Sequence, residues 1–156
     1  MNPTVYRVRE LVVSYTPIRL SLPVPVTGRL LMPRDAAVLA SALIADTTVE
    51  KVLALHVNTT HELIGVHVVS TGTLDSAIVH PREVFKAACL SNAAGLMLIH
   101  NHPSGDPTPS PDDRALVTRL RLAGDVLGIE LLDALIVTDS VESLRYFSFR
   151  EAGMLP

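Results

Sequence analysis

Residues 95–102 read GLMLIHNH, and this stretch restricts the possible folds more than any other part of the chain. It is apolar up to His100, begins at a glycine and ends in a proline-studded loop, so it reads as a short strand buried on both faces. Such a strand belongs in the middle of a sheet, with other strands beside it and helices covering both faces. The segments around it supply those partners. EKVLALHV (Glu50 to Val57) and the stretch from Glu62 to Ser70 read as two strands joined by the polar turn NTTH. IELLDALIV (129–137) reads as another buried strand, and Leu144 to Phe149 as an edge strand.

Three helices are expected. Pro33 to Ala45 places Val38, Leu39, Ala42 and Leu43 on one stripe. Pro81 to Asn92 starts with proline in its first turn, which suits a helix start. Pro111 to Leu127 places Leu116, Leu120, Ala123 and Leu127 on one face, with Gly128 as its stop. Val5 to Tyr15 is β-rich and reads as a strand. Pro17, Pro23, Pro25 and Pro33 make the following segment an extended arm. The expected organisation is an N-terminal strand and arm over residues 1–32, then one mixed α/β domain over 33–156. A chain of 156 residues is long enough for one sizeable core.

The bulk numbers narrow the function. Hydrophobic content of 48% with 19% charge describes an ordinary globular chain. The net charge is −3, and Lys51 and Lys86 are the two lysines, which argues against a strong non-specific hold on nucleic acid or anionic membrane. Aromatic residues make up 4% with no Trp, so base-stacking platforms are scarce. Cys89 is the single cysteine and reads as a core residue, so no internal disulfide can form. The opening residues have no signal-peptide core, and no apolar run approaches membrane-spanning length. A cytoplasmic location is expected.

The chemistry concentrates after the central strand. Alternate residues of a strand project the same way, so His100 and His102 point together while Asn101 points elsewhere. The loop then returns the chain to a helix starting near Ser110-Pro111, which brings Asp113 to the same mouth. Two imidazoles and a carboxylate form a three-donor set typical of catalytic zinc, one ion per chain, leaving a fourth position for water. A plainer account covers part of this. Ser110 is a good N-cap, Pro111 a good first residue, and Asp113 occupies the capping-box position. Capping leaves the two histidines unexplained, and both accounts can hold together.

The spacing His100-x-His102-x7-Ser110-x2-Asp113 resembles the JAMM (MPN+/JAB) metalloprotease motif at every defined position. VHPREVFKAA (Val79 to Ala88), STGT and HNHPSGDPTPS resemble its RadC branch, from about Met32 to the C-terminus. The helical N-terminal region of longer RadC proteins has no counterpart, so the short RadC-like form is expected. The resemblance implies a cytidine-deaminase-like α/β fold and a zinc hydrolase of peptide or isopeptide bonds. It also implies a glutamate ahead of an early strand that handles the proton of the attacking water. Glu50, Glu62 and Glu83 are the candidates, and Glu50 best fits a glutamate followed by an apolar strand. Ser110 would help stabilise the oxyanion. RadC-like chains often carry a histidine after the aspartate of the strand matching LLDAL, where this chain has Ala134.

Other residues carry weaker expectations. His80 reads as a helix-start hydrogen-bond partner ahead of a role supporting the ligands, and Glu83 as a charge favoured at a helix N-terminus. His56, His61 and His67 share no spacing and read as structural or exposed. Ser104 and Asp106 lie in the loop beside the ligands and are candidate substrate contacts, with plain turn formation as the simpler account. A peptide or protein substrate and a homodimer are the expected partners. The competing function is a metal-stabilised adaptor without hydrolytic activity, linked to DNA repair through the family name. Nucleoside deamination would require a Cys-x-x-Cys ligand pair, which one cysteine excludes.

Overall fold

A computed structural model describes residues 12–22, 28–44, 48–72, 79–138 and 144–155. Its elements in chain order are α1 (Pro33–Ile44), β1 (Lys51–Val57), β2 (Leu63–Thr71), α2 (Pro81–Leu90), β3 (Gly95–Asn101), α3 (Pro111–Leu127), β4 (Glu130–Thr138) and β5 (Arg145–Ser148). The five strands form one mixed sheet in the order β2-β1-β3-β4-β5. β3 is its central strand, buried at every residue, antiparallel to β1 and parallel to β4. Helices on both faces supply the cover that this apolar strand requires. The fold class matches the sequence reading: a mixed α/β sheet with three helices among the described residues, consistent with a JAB/MPN fold.

Strand alternation sends neighbouring residues into two separate cores. Leu96 and Leu98 of β3 join Val84, Phe85, Leu116 and Leu120 beneath α2 and α3. Met97 and Ile99 join Ala36, Leu39, Ala40 and Ile44 beneath α1. His100 therefore lies on the α3 face, and Asn101 on the α1 face.

Some details differ from the sequence expectations. Part of the expected strand Val5 to Tyr15 lies outside the described residues, and Val12 to Tyr15 carry no strand. The bonds beside the start of β2 go instead to residues 28–30: Leu30 N donates to the His61 carbonyl and Leu63 N to the Gly28 carbonyl. The buried face of α3 is Leu116, Val117, Leu120 and Gly124, and Leu127 is exposed. Gly124 takes the closest approach, because a Cβ there would stand 2.5 Å from the Ile129 carbonyl oxygen. Cys89 is exposed, since Val84, Phe85 and Ala88 already occupy the inward face of α2. Among the described residues no helix is long and apolar enough to cross a membrane.

Candidate metal centre

The carboxyl end of β3 and the amino end of α3 meet at one mouth of the sheet. His100 is buried at the last turn of β3 pairing, opposite Val52 on β1 and Ile136 on β4. His102 follows directly, its amide donating to the Val137 carbonyl. α3 begins with a complete capping box: Ser110 Oγ accepts from the Asp113 amide, and Asp113 Oδ2 accepts from the Ser110 amide at 2.7 Å. This cap places a buried carboxylate over the histidines.

The donor atoms are close together. His100 Nε2 and His102 Nε2 are 3.2 Å apart. Asp113 Oδ1 lies 3.1 Å from His100 Nε2, and Asp113 Oδ2 lies 3.6 Å from His102 Nε2. Donor atoms of Glu50, His100 and His102 all fall within 4.8 Å of one another, a grouping able to hold a metal ion. In a tetrahedral site with metal–nitrogen bonds of roughly 2.0–2.1 Å, two donors stand roughly 3.3 Å apart. The spacing of the imidazole nitrogens fits that value. Their chemistry fits as well. The Asp106 carbonyl accepts from His102 Nδ1 at 2.7 Å, which fixes the ring and turns its Nε2 towards His100 and Asp113.

The carboxylate and the imidazole stabilise one another. Burial alone would raise the Asp113 pKa, but hydrogen bonds from His100, His102 and Ser110 outweigh it and hold the carboxyl well below the usual range. The hydrogen bond to Asp113 raises the His102 pKa against its own burial. Asp113 is thereby held in its ionised form.

Glu50 immediately precedes β1, whose Val52 pairs with His100, and its carboxylate reaches the histidine pair. A cavity of about 320 Å³ lined by Thr48, Val49, Glu50, Gly72 and Pro103 opens beside it. A larger apolar cavity of about 730 Å³ lies between residues 14–20 and the β1/β2/α1 surface, and no donor of the histidine cluster lines it.

The remaining sequence candidates fall in several places. Ser110 is at the mouth, with its hydroxyl 2.6 Å from Asp113 Oδ2. Ser104 and Asp106 lie on the loop after His102, where the Asp106 carboxylate accepts from the Thr108 amide at 2.9 Å. Arg145 of β5 ties that loop down by donating to the Gly105 carbonyl at 2.8 Å. Glu62 and Glu83 are elsewhere: Glu62 bonds Asn58 in the β1–β2 turn, and Glu83 pairs with Lys86 on α2. His80 caps α2, its Nδ1 accepting from the Arg82 amide at 3.1 Å. Residue 134 is a buried alanine opposite Leu98, on the face shared with His100.

Two features escaped the sequence reading. His56 and His67 come together across β1 and β2, their ring centroids 6.4 Å apart, with His56 2% exposed. Burial, then the neighbouring His67, lowers the His56 pKa to about 4. The second is Asn101, buried between the two histidines in sequence. Its amide reaches across to the segment that carries Glu50, donating to the Val49 carbonyl at 3.1 Å and accepting from the Lys51 amide at 2.8 Å. The signal for it was available: an asparagine ending a fully buried strand must satisfy its amide somewhere.

The molecule is a mixed, five-stranded α/β domain whose central strand ends in a histidine pair, with carboxylates close enough to complete a grouping that could hold a metal ion. The sequence comparisons name the family. A profile of the RadC-like JAB domain matches residues 30–154, and the chain belongs to that family. A UPF0758 protein of Shouchella clausii is 46% identical over 121 residues, covering 78% of this chain and 51% of its own length. One from Thermotoga maritima is 45% identical over 106 residues, 68% of this chain and 46% of its own. One from Methanosarcina acetivorans is 39% identical over 123 residues, 79% of this chain and 52% of its own. The chain thus spans about half the length of the curated relatives it matches.

Proposed function

We propose that this domain is a zinc-dependent hydrolase of peptide or isopeptide bonds, with His100, His102 and Asp113 as ligands and Glu50 as general base. The observation that carries the reading is the convergence of two Nε2 atoms 3.2 Å apart, one bonded carboxylate and a second carboxylate within 4.8 Å. A divalent ion held there supplies Lewis-acid activation and draws the ionisation of coordinated water down to about pH 7. Asp113 is assigned to the ion because it already contacts both imidazoles from a rigid helix start. Glu50 lies within 4.8 Å of both imidazoles, close enough to take a proton from the attacking water and return it to the leaving amine. Ser110 Oγ, which donates to Asp113 at rest, is the hydroxyl proposed to turn towards the carbonyl oxygen as negative charge develops there. Ser104 and Asp106 would border the substrate on the loop that Arg145 pins.

The test is a broad panel of peptides and isopeptide-linked conjugates offered to zinc-loaded wild type and to Glu50→Gln. Cleavage by wild type, reduced about 100-fold or more in the variant with zinc retained, supports the reading. Equal inactivity of both across the panel, with zinc retained, would replace it with a metal-stabilised adaptor module.

A further inference from the structure

We propose that Asn101 is a positioning residue that fixes Glu50 against the histidine pair by holding the peptide segment on both sides of it. The inference deepens the hydrolase reading and rests on it for its catalytic consequence.

Asn101 is the residue between the two histidines, and strand alternation turns its side chain to the face opposite theirs. It is 1% exposed, so an unbonded amide would be costly there. Both ends of the amide are used on one short segment. Oδ1 accepts from the Lys51 amide at 2.8 Å and Nδ2 donates to the Val49 carbonyl at 3.1 Å. These groups flank Glu50 on either side. They are main-chain groups just outside the β1–β3 pairing, whose register begins at Val52 opposite His100. On the β3 side, the Asn101 amide is what continues the backbone contact past Val52 to the segment around Glu50.

Other bonds converge on the same segment. Gly72 N donates to the Glu50 carbonyl at 2.9 Å, and Lys51 Nζ donates to the Ile44 carbonyl at 2.8 Å. Asn101 differs from these in being covalently continuous with both histidines. Any movement of the end of β3 carries His100, His102 and the Glu50 clamp together, so the distance between the imidazoles and the base is set by one dipeptide step on each side. A reacting group must hold its position to within a fraction of an ångström for efficient proton transfer, which is what such a link provides.

The test compares wild type, Asn101→Asp and Asn101→Ala as full-length, zinc-loaded chains. Amide hydrogen exchange is read at Lys51 and, as an internal control, at Leu135 in β4. Zinc affinity is measured by chelator competition. Asn101→Ala is expected to lose Lys51 protection about 100-fold while Leu135 protection and zinc affinity stay within about threefold. Asn101→Asp keeps the acceptor for Lys51 and is expected to retain that protection. With any substrate found in the panel, Asn101→Ala lowers kcat about 10–100-fold at unchanged KM and adds no loss in a Glu50→Gln background. Unchanged Lys51 exchange, zinc affinity falling along with it, or Leu135 exchange rising in parallel would each overturn the proposal. A wild type that cleaves nothing would defeat the hydrolase reading, while Lys51 exchange would still decide the clamp.

Discussion

Ser110 and Asp113 hold each other reciprocally: Ser110 Oγ accepts from the Asp113 amide, and Asp113 Oδ2 accepts from both the Ser110 amide and its hydroxyl, at 2.7 and 2.6 Å. That leaves Asp113 Oδ1 facing His100 Nε2 at 3.1 Å. One carboxylate therefore caps the helix with Oδ2, which also lies 3.6 Å from His102 Nε2, and presents Oδ1 to His100. The helix cap is what aims the carboxylate.

Ser110→Ala separates the two tasks. Loss of the N-cap hydroxyl should cost about 1 kcal/mol, seen as a melting temperature lower by about 2–4 °C for a chain of this size. Loss of the group behind the ligand should weaken zinc binding about 10–100-fold in chelator competition. A variant with wild-type zinc affinity would show that Asp113 needs no support from the cap.

Gly124 tests the packing of α3 against the chain that leaves it. In a helix interior Gly→Ala normally gains up to about 1 kcal/mol. Here the added methyl would stand 2.5 Å from the Ile129 carbonyl oxygen and 3.3 Å from Phe85 Cζ. Gly124→Ala should instead destabilise by about 1–3 kcal/mol in urea unfolding. A stabilised variant would mean that the α3–β4 connection yields freely.

His56 gives the fold a dependence on pH remote from the metal centre. Its pKa is about 4 in the folded chain against an ordinary value of 6.5, because burial disfavours the charged ring. The unfolded chain takes up the proton first as pH falls, so stability is full above about pH 6.5 and declines between there and about pH 4. The loss attributable to this residue at pH 4 is on the order of 3 kcal/mol. His56→Leu should flatten that slope in denaturant titrations from pH 7 to 4. An unchanged slope would move the effect to other groups.

The parts of the fold that were legible in the sequence are those where local pattern and burial agree. The unbroken apolar run of β3 forced a central strand, and Ser110-Pro111 with Gly128 bounded α3 at both ends. The clustering of His100, His102 and Asp113 was legible because they lie close in sequence, two at a strand tip and one in the first turn of the next helix, whereas Glu50 joins the histidines from a distant segment. What pattern alone could not supply was long-range. Val12 to Tyr15 are β-rich but carry no strand. Residues 28–30 took the bonds beside β2 with no periodicity to announce it. Leu127 fits the stripe of α3 but is exposed, because close approach at Gly124 decides which face is buried. His56 and His67 meet only through β1–β2 register, and Asn101 reaches Val49 and Lys51 some fifty residues back along the chain.

Whether His100, His102 and Asp113 together hold one divalent ion is decided by elemental analysis of the purified chain. Wild type dialysed against zinc and then metal-free buffer should retain about one zinc per chain, and Asp113→Asn should retain less than about a tenth of that while keeping its helical circular dichroism. A folded wild type that keeps no zinc, or an Asp113→Asn variant that keeps as much as wild type, would contradict the account.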